Sequence, residues 1–200
     1  ISIDVYPKPN VTFDLADQTI CDNTTTNAVT LGSSSPGTIS FAWTATIPTG
    51  ISGANPSGTN TIPQQTLVNS SNTPLKIIYT AAATFTNDAS SCSGNQVIYI
   101  VTVNPSFTAS SIVSDFNGYN VSVFGGNNGA INLTVAGGSS TYGFSWVGPN
   151  GFTSSIKDLT GLAVGTYKVT ISDGYCTPIE LTFTLIQPPE LLVQQDFGLT

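Results

Sequence analysis

The side chains able to do redox, metal or acid–base chemistry are few in this 200-residue sequence: three cysteines, eleven carboxylates and four lysines, with neither histidine nor arginine. Without histidine or a Cys-x-x-Cys word, Cys21, Cys92 and Cys176 do not make a zinc site of ordinary ligand type and spacing. Disulfides or buried thiols remain. Cys21 and Cys92 lie in polar, turn-like words, TICDNTT after the first strand candidate and ASSCSGN before the last strand of the first half. A Cys21–Cys92 bridge is the expected pairing, and it implies an oxidising compartment. On the chain-entropy model, closing about 70 residues stabilises a domain by roughly 4 kcal/mol.

Among the carboxylates, Asp115 with Asn117 and the carbonyl of Gly118 has the alternate spacing of an oxygen-ligand calcium loop, which Asp173 or Asp158 would complete. Asp-x-Asn-Gly is also a turn word whose side chains bond their own backbone, and that is its commoner use. No resident metal or other cofactor is therefore expected, with calcium as the alternative. Catalysis has no visible seat. No nucleophile stands beside a base, and Glu180, Glu190 and nine scattered aspartates give no pair placed to flank a glycosidic bond. The words Gly125-Gly126 and Gly137-Gly138 do not lead from a strand into a helix, so they are turn positions rather than phosphate loops.

Strands must hold these residues, and the clearest lies in LTGLAVGTYKVTISD, residues 159–173. Tyr167, Val169 and Ile171 alternate there with Thr166, Lys168 and Thr170, as a half-buried strand requires. Leu162, Gly165 and Tyr167 have the pattern of the tyrosine corner of immunoglobulin-type sandwiches, in which the hydroxyl bonds back to upstream backbone. Further strands are expected at 11–15, 28–31, 39–46, 75–85 and 96–103 in the first half. The second half offers 107–113, 119–124, 130–135, 142–147, 166–172 and 179–186. The polar stretch 48–74 reads as one or two short strands or an extended surface loop. Each half carries a Phe-x-Trp, Phe41-Ala42-Trp43 and Phe144-Ser145-Trp146. Alternation puts both tryptophans on the apolar face, where they fill a core rather than stack on sugar.

Charged residues make up only 8% of the chain and hydrophobic residues 40%, with Thr, Ser, Asn and Gly carrying the polar surface. Together with the strand pattern this predicts an all-β fold of tandem immunoglobulin-like β-sandwich domains. A net charge of −7 leaves nothing to neutralise a row of phosphates, so nucleic-acid binding is excluded. No apolar run approaches the roughly 20 residues of a membrane span, and no membrane insertion is expected. Residues 1–9 and 96–105 both alternate and then stop at proline, like the ends of successive modules. The chain therefore divides into the tail of a preceding module (1–9), two modules (10–105 and 106–189) and the start of another (190–200).

Three runs in residues 106–191, SDFNGYNVSVFGGNNGAINLTVAGG, YGFSWVGPNGFTSSIKDLTGLAVGTYKVTISDGYC and LTFTLIQPPEL, resemble the SprB repeat of gliding-motility and surface adhesins of Bacteroidetes. TICDNTT, FAW, LKIIYTAAATF, CSGN and YIVTVNP in the first half are similar to the PKD-like module that precedes such repeats. The resemblance implies tandem PKD-like sandwiches, export by type IX secretion and display on the cell surface. It also implies a cysteine just before the FGG word as partner to the position of Cys176. That place is held by Val123, so Cys176 is expected to be a buried free thiol packed near Val123. The implied function is that of repetitive structural spacer modules in a large adhesin, in contact with neighbouring repeats of the same chain and supporting adhesion and gliding. The alternative is a lectin-like sandwich that binds surface polysaccharide through Tyr119, Phe152 and Tyr175.

Overall fold

The structure, a computed structural model, describes residues 8–87 and 90–192. The expected tail strand at 1–9 falls, up to Pro7, outside the described residues, as does 193–200 of the expected opening strand at 190–200. The chain is all-β and divides into two compact units, each an immunoglobulin-like sandwich. The first holds the described residues up to Phe107 together with Gly137–Ser140, and the second holds Thr108–Ala136 and the described residues from Thr141 onward. Gly137–Ser140, expected inside the second module, groups with the first because its turn rests on residues 105–107. The Gly138 N–H donates to the Pro105 carbonyl (3.1 Å), and a Cβ on Gly137, at φ 89°, would lie 2.3 Å from the Ser106 carbonyl oxygen.

In the first unit a six-stranded sheet runs β2 (Gln18–Cys21), β12 (Val97–Asn104), β10 (Leu75–Asn87), β5 (Ile39–Thr46) and β7 (Ser57–Thr59), with β11 (Ser90–Ser93) paired to the far end of β10. Two three-stranded sheets complete it: β1 (Thr12–Phe13), β4 (Val29–Gly32) and β8 (Thr61–Ile62), and β3 (Thr24–Thr25), β9 (Thr66–Asn69) and β6 (Ile51–Ser52). Val29, Leu31, Ile62 and Leu67 from these short strands bury in one cluster with Trp43, Tyr79 and Tyr99 of the large sheet. The alternation of β10 explains the burial: Ile77, Tyr79, Ala81 and Ala83 point inward while Lys76, Ile78, Thr80 and Ala82 do not. Ala81 pairs with Trp43, and its small side chain leaves room for the indole. On the other flank, a Cβ at Gly58 would meet the Trp43 ring at 2.4 Å.

The 48–74 stretch holds four strands, β6 to β9, where one or two or a loop were expected. Its polar residues misled because two of them are buried and bonded inward. Gln65 Nε2 donates to the Tyr79 hydroxyl (3.1 Å), and its Oε1 accepts from the Asn55 N–H (2.6 Å). Asn69 Nδ2 donates to the carbonyls of Thr73 and Val103 (2.9 and 2.8 Å). A buried amide that is fully bonded is as much a part of the core as a leucine.

In the second unit, β13 (Phe107–Val113), β14 (Gly129–Gly137) and β17 (Leu159–Leu162) form one sheet. The other is β16 (Thr153–Ser154), β15 (Gly143–Val147), β18 (Gly165–Ser172) and β19 (Ile179–Leu185), with a 3-10 turn at Pro149–Gly151. Ile131, Leu133, Trp146, Leu159, Val169 and Ile171 are buried. The strand expected at 119–124 does not form. Phe116-Asn117-Gly118-Tyr119 closes a tight turn, with φ 56° and 91° at its two central residues, the geometry of the Asn-Gly hairpin turn. Beyond it the side-chain amides of Asn120 and Asn128 bond the backbone of Ser114 and Ser122, and Asn128 Nδ2 also donates to the Ser122 hydroxyl, in place of a ladder, so an alternating word folds irregularly.

Candidate functional site

The first unit closes on itself through β2, which sequence reasoning missed because QTIC is too short to show a period. It pairs in parallel with β12, Gln18 opposite Val101 through Cys21 opposite Asn104. Polar side chains fix both ends. Gln18 Nε2 donates to the Tyr99 hydroxyl (2.5 Å), while its Oε1 accepts from the Asn27 N–H (2.8 Å). Asp17 Oδ1 accepts from the Ile100 N–H (2.9 Å), and the Asp22 N–H donates to the Asn104 carbonyl (2.7 Å). The Asp22 carboxylate in turn accepts from the Asn69 N–H (2.8 Å) and the Ser106 hydroxyl (3.0 Å). Burial pushes the Tyr99 and Tyr79 hydroxyls above the ordinary phenol pKa, and the bonds from Gln18 and Gln65 pull the other way.

The second unit holds its last strand differently. Past the end of β19, the Ile186 carbonyl accepts from the N–H groups of Asn120 (2.9 Å) and Val121 (3.0 Å). The Ile186 N–H donates to Asn120 Oδ1 (3.0 Å), and the Gly125 N–H donates to Gln187 Oε1 (2.8 Å). Asn120 Nδ2 reaches back to the Ser114 carbonyl (3.0 Å), and the Ser114 hydroxyl donates to the Asn120 carbonyl (2.7 Å).

Both tryptophans are buried, Trp43 at 2% exposure and Trp146 at 1%. Each indole N–H donates to a carbonyl, that of Thr61 (3.1 Å) and that of Ile156 (2.9 Å). The Tyr167 hydroxyl donates to the Ala163 carbonyl (3.2 Å), the bond of a tyrosine corner, and burial raises its pKa. Phe152 stands edge-on to Tyr167 at 5.5 Å.

The cysteines correct the sequence reading. Cys21 and Cys176 are disulfide-bonded and Cys92 is the free thiol, so neither the Cys21–Cys92 bridge nor the free Cys176 is found. Cys92 pairs with Phe85, whereas Cys21 sits opposite Asn104, beside the Leu75 end of β10. Those ends are ten residues apart, roughly 33 Å at about 3.3 Å per residue, whereas a disulfide needs Cα atoms within about 7 Å. Polar neighbours mark a turn, but they do not say which end of the sandwich it caps. Cys176 is half-buried rather than buried, and Val123, beside which it was expected, is 58% exposed.

The three aspartates among the calcium candidates each accept from backbone N–H groups. Asp115 Oδ1 accepts from the Gly118 N–H (2.7 Å), and Asn117 lies in the left-handed region of that turn. Asp173 Oδ1 accepts from the N–H groups of Tyr175 (3.1 Å) and Cys176 (2.7 Å), and Asp158 Oδ1 from that of Leu133 (2.8 Å). Among the described residues, no three His, Cys, Asp or Glu side chains group closely enough to hold a metal ion. Of the aromatic candidates, Tyr119 and Phe152 are half-buried and Tyr175 is exposed.

Residues 18–107 match the family model of the PKD-like domain. No curated protein matches the chain in sequence. Among solved structures, the chain is similar to a C-terminal 282-residue fragment of intimin, crystallised with the intimin-binding domain of the translocated intimin receptor. The identity is 16% and the TM-score 0.47, over 88% of this chain and 63% of that one, so the chain spans less than two thirds of the intimin fragment. It is also similar to the IG1+IG2 pair of DIP-gamma (11% identity, TM-score 0.40, 92% and 99% covered) and to the class 5 fimbriae chaperone CfaA (10%, 0.31, 90% and 100%). A PKD-like module and a disulfide are the make-up of an extracellular protein. Sandwiches of this type are typically binding or structural modules rather than catalysts. No described helix is long and apolar enough to cross a membrane.

Proposed function

We propose that this chain, PKD-like over residues 18–107, is a pair of spacer modules from a large cell-surface adhesin that carries tension between neighbouring repeats of the same chain. In this reading the second module is SprB-like, export follows the type IX route, and the assembly serves adhesion and gliding motility. The parallel pairing of β2 with β12 is the observation that carries it. Once the disulfide bonds of Cys21 and Cys176 are reduced, so that no covalent link bypasses β12, tension entering at the start of β2 and leaving at the end of β12 draws the two strands past each other and loads their hydrogen bonds together in shear. Antiparallel terminal strands drawn from one end would open one bond at a time. The scarcity of lysine and the lack of arginine also leave few tryptic sites, which suits a chain exposed outside the cell.

Single-molecule pulling of the whole chain by its two ends under reducing conditions, which open the disulfide bonds of Cys21 and Cys176, compared with Ile20→Pro, tests the reading. Proline takes an N–H out of β2 and fixes its φ. Two unfolding events are expected, and the variant lowers the force of one while leaving the other. Equal forces in the two proteins, or rupture of the first unit at the low force of an unzipping hairpin, would refute a load-bearing role.

A further inference from the structure

We infer that residues 114–128 form a latch that opens locally, without unfolding of the second unit, and frees the chain just past β19. The segment has no strand among its residues, only two tight turns at 116–119 and 123–126, so no continuous ladder holds it. A single apolar side chain, Val121 at 0% exposure, anchors it in the core, while Phe116, Val123 and Phe124 are 37%, 58% and 52% exposed. Apart from Tyr119, which is half-buried, everything else that ties it down is polar. Its grip on the chain past the last strand reaches two residues, Ile186 and Gln187, and two of the four bonds there end on side-chain amides.

Asn120 is the keystone. Its side chain and backbone together join Ser114 on one side and Ile186 on the other. The Ser114 hydroxyl also accepts from the Ala130 N–H (2.9 Å), so one short polar relay runs from β14 to the end of β19. A region with few buried apolar contacts and mostly side-chain-mediated bonds lies at the low end of local stability, whereas β18, with Val169 and Ile171 at 0% exposure, lies at the high end. The latch belongs to the second unit itself; only its use under load rests on the spacer reading.

Native-state hydrogen exchange on the whole chain, across sub-denaturing urea, separates the two questions. In the wild type the amides of Val121, Gly125 and Ile186 are expected to exchange together, well ahead of Val169 and Ile171, with rates flat in urea. Asn120→Ala is expected to raise exchange at Val121 and Gly125 by about 10- to 100-fold, although neither amide bonds to the Asn120 side chain. Gln187→Ala, which removes only the Gly125 acceptor, is expected to raise Val121 as well. An increase confined to Ile186 in the first variant and to Gly125 in the second would show separate contacts rather than a latch. Val121 exchanging as slowly as Val169 in the wild type would also overturn it. The pulling experiment can fail while these rates hold, and the reverse.

Discussion

In the first unit β12 is flanked by β2, four residues bonded backbone to backbone in parallel. In the second, β19 stands at the edge of its sheet, and past its end the chain is held through the amides of Asn120 and Gln187 as much as through backbone. The cores themselves follow one plan: a buried tryptophan on the strand next to one edge of the sheet, its indole N–H satisfied by a backbone carbonyl, and an aromatic ring beside it, Tyr79 in the first unit and Phe183 in the second. A backbone ladder forms with almost any side chain, so it tolerates substitution. A side-chain latch is written into particular amides, and one substitution can release it. Two units with equivalent interiors therefore differ in how sequence controls their exits.

The largest test of this equivalence is Trp43→Ala against Trp146→Ala. Each is expected to destabilise its own unit by about 3–5 kcal/mol, seen by calorimetry as one lowered transition beside one unmoved. A markedly smaller loss for either would mean the interiors are not built alike.

A smaller effect comes from alkali. Tyr79 and Tyr99 in the first unit and Tyr167 in the second all have folded-state pKa values raised by burial above 10.0. A raised phenol contributes its stability in full below the unfolded value near 10 and loses it as pH climbs from there toward the folded value. The first unit, with two such phenols, is expected to melt before the second above about pH 10. Melting in the opposite order would place the stronger polar core in the second unit.

The smallest effect is at the surface of the second unit. Lys168 lies 2.8 Å from Glu180 and holds its carboxyl below the ordinary glutamate value, first by the hydrogen bond and then by its charge. That contribution is present above the unfolded pKa and vanishes as pH falls through the folded one. Both side chains are about half exposed, and solvent screening leaves such pairs little weight. Glu180→Gln is expected to leave the second transition nearly unmoved at neutral pH, and a large shift would show that β19 depends on this ion pair.

Where a strand was long and alternating, its residues were readable in advance: 39–46 and 107–113 coincide with β5 and β13. The tryptophans and the Tyr167 corner were legible for the same reason, since alternation alone says which face they occupy. Four features were not. β2 has too few residues to show a period, and Gln65 and Asn69 look like loop residues until Tyr79 and Val103 are brought to meet them. The word YNVSVF alternates, yet Ser122 bonds the nearby Asn128 and Asn120 bonds Ser114 and the distant Ile186 in place of a regular ladder. Disulfide partners depend on which ends of long strands coincide, and that is information no stretch of neighbours contains.

The turn at Gly137–Ser140 lies far along the chain from the body it supports. During synthesis the first sandwich must therefore wait for its final prop until some thirty residues of its successor have emerged, at about 5–20 residues per second. Severing the polypeptide at Pro105 would put that turn, whose Gly138 N–H bonds the Pro105 carbonyl, on the other piece.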